Sequence, residues 1–137
     1  MLGGGLIGCE TALWLARQGK KVTIVELLHD LLTAGIPVQH MNRLMLLDML
    51  KFCKVNVFTN TSLSEVTQEG AIVMDRDFGR RNLPADTIVI AAGLKPEQEL
   101  YRALQGQTPN LFLIGDSRKA QNIMNSVWDA YEVARMI

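Results

Sequence analysis

The chain is poor in the residues that build metal and redox sites. Cys9 and Cys53 are its only cysteines, far apart and in no C-x-x-C arrangement, which excludes a paired-cysteine metal site and a redox-active dithiol. Its two histidines, His29 and His40, have no partnering cysteine or acid pattern and read as loop or helix-start residues rather than ligands. Neither sign of charge dominates: 14 basic and 14 acidic residues give a net charge of zero. With the basic residues scattered, no nucleic acid or anionic membrane surface is expected as a partner. No apolar run approaches the roughly 18 residues of a membrane span, and no signal peptide is visible, so a cytoplasmic protein is the expectation. Acids and histidines never converge in the spacing of a general base, nucleophile or metal constellation, and no catalytic residue is assigned.

What is present begins at once. Gly3-Gly4-Gly5-Leu6-Ile7-Gly8 is a G-x-G-x-x-G turn, a weak signal alone because three of its positions are free. Its surroundings strengthen it. Leu6 to Gln18 reads as a helix with Gly19 as its stop, and Val22-Thr23-Ile24-Val25-Glu26 reads as a buried parallel strand. In such a βαβ unit Gly3 permits the tight turn, Gly5 lets the backbone approach a pyrophosphate, and Gly8 lets the helix pack close to the sheet. The helix-start amides and dipole favour the negative charge. Glu26 ends the second strand near the spacing of an acid that accepts hydrogen bonds from the adenosine ribose. A carboxylate there repels a 2′-phosphate, which favours NADH over NADPH. An ordinary solvated strand-end acid is the alternative for Glu26, and Lys20, Lys21 or Arg43 remains available to a phosphate. Only Met1 and Leu2 precede the turn, so the first strand is expected to be truncated and the chain to begin within something larger.

Cys9 falls in the first turn of the helix, where the dipole lowers a thiol pKa, but packing is the expected role. Residues 27 to 38 read as a loop, Gln39 to Lys54 as an amphipathic helix with a methionine-rich core stripe, and Val55 to Phe58 as a third strand. Leu63 to Thr67, Ala71 to Asp75 and Arg80 to Pro84, separated by turn signals, read as a three-stranded antiparallel meander. Thr87 to Ala91 reads as another buried strand ending at Ala92-Gly93, small residues that leave room for a ligand at the carboxyl end of a parallel sheet. A short helix around Glu97 to Leu104, a strand over Leu111 to Ile114 and a helix over Ile123 to Ile137 complete the reading. The expected fold is α/β, a three-layer Rossmann-type parallel sheet with an antiparallel β-meander.

The glycine turn followed by Glu10, the acid at Glu26, the meander, Ala91-Ala92-Gly93 and Leu113-Ile114-Gly115-Asp116 before a terminal helix together resemble the pyridine nucleotide-disulfide oxidoreductase superfamily. More closely, Gly3 to Ala16 with Leu111 to Ile137 is similar to the carboxyl-terminal part of NADH:flavin oxidoreductases of the old yellow enzyme plus iron-sulfur type, such as 2-enoate reductase, 2,4-dienoyl-CoA reductase and trimethylamine dehydrogenase. The resemblance implies that Gly3, Gly5 and Gly8, within the turn Gly3 to Gly8 that includes Gly4, Leu6 and Ile7, contact the NAD(H) pyrophosphate. It implies that Glu26 meets the adenosine ribose, that Ala92 and Gly93 sit near the nicotinamide, and that Gly115-Asp116 belongs to a flavin site. Residues 1–94 would be the NAD(H)-binding domain, and 95–137 a connector, strand and helix derived from a flavin-binding lobe. The flavin-binding motif and the barrel with its FMN and iron-sulfur cluster are not in this sequence, and no cysteine cluster is present to hold iron and sulfur. The implied parent reaction is hydride transfer from NADH to flavin. FAD would belong to the complete enzyme rather than to this chain, which alone would be inactive. A non-catalytic ADP- or NAD-binding module, and a domain that self-associates through its uncovered apolar faces, stay open as alternatives.

Overall fold

The structure is a computed structural model that describes all 137 residues. Two units form, Met1–Gly93 and Leu94–Ile137. No helix is long and apolar enough to cross a membrane.

In the first unit, helix α1 spans Leu6–Arg17 and turns its small residues Gly8, Cys9 and Ala12 inward. It stops at Gly19, whose φ of +80° is the left-handed conformation that glycine adopts at a helix end. Strand β1, Thr23–Val25, pairs in parallel with β2, Asn56–Phe58, in the register Ile24 to Val57. Helix α2, His40–Phe52, makes the crossover between them. It ends where Lys54 takes a positive φ of 56° and Val55 donates back to the Leu50 carbonyl at 3.0 Å. Val22 and Ile24 join Cys9, Ala12, Leu31, Leu32, Leu46 and Leu50 in one buried cluster. Val25 is also buried but outside that cluster, as the two-residue alternation of a strand requires.

The meander covers the other face. Strands β3 (Thr61–Thr67), β4 (Gly70–Asp75) and β5 (Arg80–Pro84) pair antiparallel in sequence order, with a bulge between Leu63 and Glu65. Arg81 of β5 lies 4.8 Å over the ring of Phe58, the register partner of Val25. Helices, parallel sheet and meander therefore make three layers, as expected.

Two expected strands are absent. Thr87 to Ala91 contributes only an isolated bridge, Ile90 to Leu2, beside a second bridge from Leu2 to Val25. Leu2 donates to Val89 at 2.8 Å and accepts from Ala91 at 2.7 Å. A ladder needs consecutive residues on both sides, and beside this segment the chain offers only the residues before the glycine turn. Leu111 to Ile114 in the second unit likewise forms no strand, because no strand of its unit pairs with its backbone. It runs into a 3-10 turn at Gly115–Ser117. Helix α3 spans Glu99–Leu104, and helix α4, Ile123–Ala134, is capped by Asn122, whose side chain accepts from the Asn125 amide at 3.0 Å.

Candidate functional site

Each glycine of the turn Gly3 to Gly8 has a different surrounding. Gly3 has φ +101°, and a side chain there would run into the Ala91 carbonyl. At Gly4 a Cβ would collide with the Leu31 side chain and approach Glu26. At Gly8 it would overlap the Gly3 carbonyl and meet the Ala91 side chain at 3.4 Å. The lack of a side chain at Gly8 thus lets the start of α1 sit close on Gly3 and on the Ala91 segment beside it. Gly5 is unlike the others, with nothing within 4 Å of the space its Cβ would fill.

Gly4 is held on both sides. Its amide donates to Glu26 Oε2 at 2.5 Å, and its carbonyl accepts from the Leu32 amide at 2.8 Å and the Cys9 thiol at 3.3 Å. The other Glu26 oxygen accepts from the Leu28 amide at 2.8 Å. Glu26 is only 7% exposed, and two backbone donors compensate its burial. It is therefore no ordinary solvated strand-end acid. A carboxylate has about four lone-pair positions, so two amides leave it capacity for further donors. Burial, followed by the nearby Glu26 and Glu10 carboxylates, pushes the Cys9 thiol up to about 12. Burial thus overrides the helix-start effect, and packing is the role the structure gives Cys9.

At Gly5 the start of α1 carries no side-chain cap and no acid in its first turn. Its leading amides have no partner within the helix, and the dipole makes this end attractive to an anion. Leu6 and Ile7 are exposed beside it. Ala92 and Gly93 follow Ala91 at the Gly3 edge of the turn, Gly93 with φ +100° and open space around it. The first unit thus brings Gly3, Gly4, Gly5, Gly8, Glu26, Ala92 and Gly93 to one end of the parallel sheet.

Gly115 and Asp116 lie in the second unit. There the Gly115 amide donates to Asp129 Oδ2 at 3.1 Å, and Asp116 accepts from the Gln121 amide at 3.2 Å. Sequence reasoning missed Asp129, which also pairs with Arg118 at 2.7 Å. It missed as well that residues 30–32 strap the glycine turn. Leu31 and Leu32, an adjacent apolar pair in the loop after Glu26, were the available signal, since both are buried.

Residues 1–134 match the family described as pyridine nucleotide-disulphide oxidoreductase. The chain belongs to that family. It is 47% identical over its whole length to a cinnamate reductase of Clostridium sporogenes, of which it spans 20%, and 31% identical to an NADH oxidase of Thermoanaerobacter brockii, of which it spans 21%. The chain thus covers about a fifth of the length of these relatives. Among solved structures, a 2-naphthoyl-CoA reductase complex superposes with a TM-score of 0.89 at 24% identity, over 99% of this chain and 20% of the other. The histamine dehydrogenase of Rhizobium sp. 4-9 does so with a TM-score of 0.77 at 18% identity, over 99% and 22%. These likenesses place the fold among Rossmann-type domains, and family membership implies binding of NAD(P) and FAD.

Proposed function

We propose that the chain is the nicotinamide-dinucleotide-binding part of a larger FAD-dependent NADH:flavin oxidoreductase. The observation that carries this reading is the contrast within the turn: Gly3, Gly4 and Gly8 are closed against their neighbours, whereas Gly5 opens onto the uncapped start of α1. A pyrophosphate approaching Gly5 meets backbone amides and the positive end of the helix dipole. Glu26 accepts the ribose hydroxyls on its remaining lone pairs, and its charge, held by the Gly4 and Leu28 amides, disfavours a 2′-phosphate. NADH is therefore the preferred ligand. Ala92 and Gly93 flank the path of the dinucleotide toward its nicotinamide end.

The bound dinucleotide supplies the hydride, and a flavin of the larger protein receives it. This chain's own residues bind and orient. No residue here acts as a catalytic base, and the isolated chain binds without turning over. The second unit, with Gly115 and Asp116, belongs in this reading to a flavin-binding lobe, the rest of which lies with the barrel elsewhere in the larger protein. Its α4 buries no residue, and Ile123, Val127, Trp128 and Tyr131 are exposed on it, which fits a face that the lobe covers.

Calorimetric titration of the purified chain with NADH and NADPH tests the proposal. Saturable one-to-one binding, tighter for NADH and weakened by Gly5→Leu, is the expected result. A folded chain that binds neither overturns it.

A further inference from the structure

Asp30 lies four residues beyond Glu26, and its carboxylate is divided between two partners. One oxygen accepts from the Leu31 amide at 2.8 Å, and the other takes Arg43 Nη2 at 2.5 Å. The same Arg43 nitrogen lies 3.3 Å from the Leu31 carbonyl. Leu31 packs against Gly4, and the Leu32 amide donates to the Gly4 carbonyl at 2.8 Å. The guanidinium is thus one residue removed from groups that touch the glycine turn. The pair is partly open, with side chains 26% exposed at Arg43 and 47% at Asp30, so both groups reach solvent. Lys20 and Lys21 precede β1, whereas Glu26 follows it. At about 3.3 Å per residue the strand separates those lysines from Glu26 by roughly 16–20 Å. Of the three bases in question, only Arg43 stands at the Glu26 end of the strand.

An arginine guanidinium is the side chain best matched to a phosphate, and it binds a carboxylate with the same fork. We infer that Asp30 is a specificity-determining residue: it occupies the Arg43 guanidinium and so withholds it from a 2′-phosphate on the adenosine ribose. This inference rests on the nucleotide site proposed above and adds a second element to the discrimination by Glu26. A dinucleotide phosphate has to displace Asp30 from Arg43 and bear the charge of the released carboxylate. NADH faces neither cost.

The test is titration of the wild-type chain, Asp30→Asn, Asp30→Ser and the double variant Asp30→Asn with Arg43→Gln, each with NADH and NADPH, after circular dichroism shows the wild-type fold. Both Asp30 variants are expected to raise NADPH affinity relative to NADH by about tenfold, and the double variant is expected to lose that gain. If NADH binds throughout and the ratio does not move, the inference is overturned while the nucleotide site stands. A gain that persists in the double variant assigns the effect to the Asp30 charge alone and overturns the part given to Arg43. A wild-type chain that binds neither dinucleotide overturns the site itself, and this inference with it.

Discussion

The Gly4 amide donates to Glu26 Oε2 at 2.5 Å, so the acid at the end of β1 closes onto the middle of a turn 22 residues earlier in the chain. Glu26 is therefore part of the turn's structure before any ligand arrives. Replacing it with glutamine puts a neutral amide where two backbone donors require acceptors. Hydrogen bonds to a charged group contribute about 1.5–3 kcal/mol each, and Glu26→Gln should lower the unfolding free energy by about 2 kcal/mol, as read by urea denaturation. NADH affinity should fall with it. An unchanged urea midpoint would show that the two amides find other acceptors.

Gly5 and Gly8 should respond to the same added methyl group to very different degrees. At Gly8 a Cβ would overlap the Gly3 carbonyl, and backbone cannot move aside cheaply. Gly8→Ala should destabilise the first unit by at least about 2 kcal/mol. At Gly5, φ is −71° and the Cβ has open space, so Gly5→Ala should cost about 1 kcal/mol or less. Thermal melts rank the two, and NADH titration of Gly5→Ala shows whether the open space belongs to the ligand.

Cys9 makes stability fall in alkali. Burial first, then Glu26 and Glu10, raises its thiol from 9.0 to about 12. A raised pKa means that the folded chain keeps a proton which the unfolded chain has lost. The contribution is whole below pH 9 and disappears as pH climbs from 9 toward 12. The slope of unfolding free energy between pH 8 and 10.5 should be steeper for wild type than for Cys9→Ala. Thiol labelling at pH 8 should modify the partly exposed Cys53 and leave Cys9 intact until the chain unfolds.

In the second unit Asp129 is the equivalent of Glu26. It accepts from the Gly115 amide and pairs with Arg118, with its side chain 13% exposed. Asp129→Ala should remove about 1–2 kcal/mol of local stability and speed hydrogen exchange at the Gly115 amide, with the exchange of β4 unchanged. Equal acceleration in both places would mean that the turn at Gly115 is not locally controlled.

Much of the architecture was legible because it is written in short-range pattern. The β-branched run at Val22–Val25, the glycines at Gly3, Gly5 and Gly8, and the turn signals between the meander strands are local, and each formed nearly where the pattern put it. The strands proposed at Thr87–Ala91 and Leu111–Ile114 failed because their apolar runs are genuine but a strand is defined by its neighbour. One segment has only Leu2 beside it, and the other has no strand in its own unit.

The sequence by itself determined the dinucleotide-type turn, the acid that follows it and the layered α/β class, since spacing along the chain encodes all three. Only the tertiary structure decided what those residues touch. Glu26 bonds the turn it was expected merely to accompany, Gly8 clears the Gly3 carbonyl, Cys9 is a buried thiol of high pKa, and Arg43 is held by Asp30. These relations join residues 5 to 22 positions apart, and no periodicity in a sequence records which of many distant partners the packed core brings within hydrogen-bonding reach.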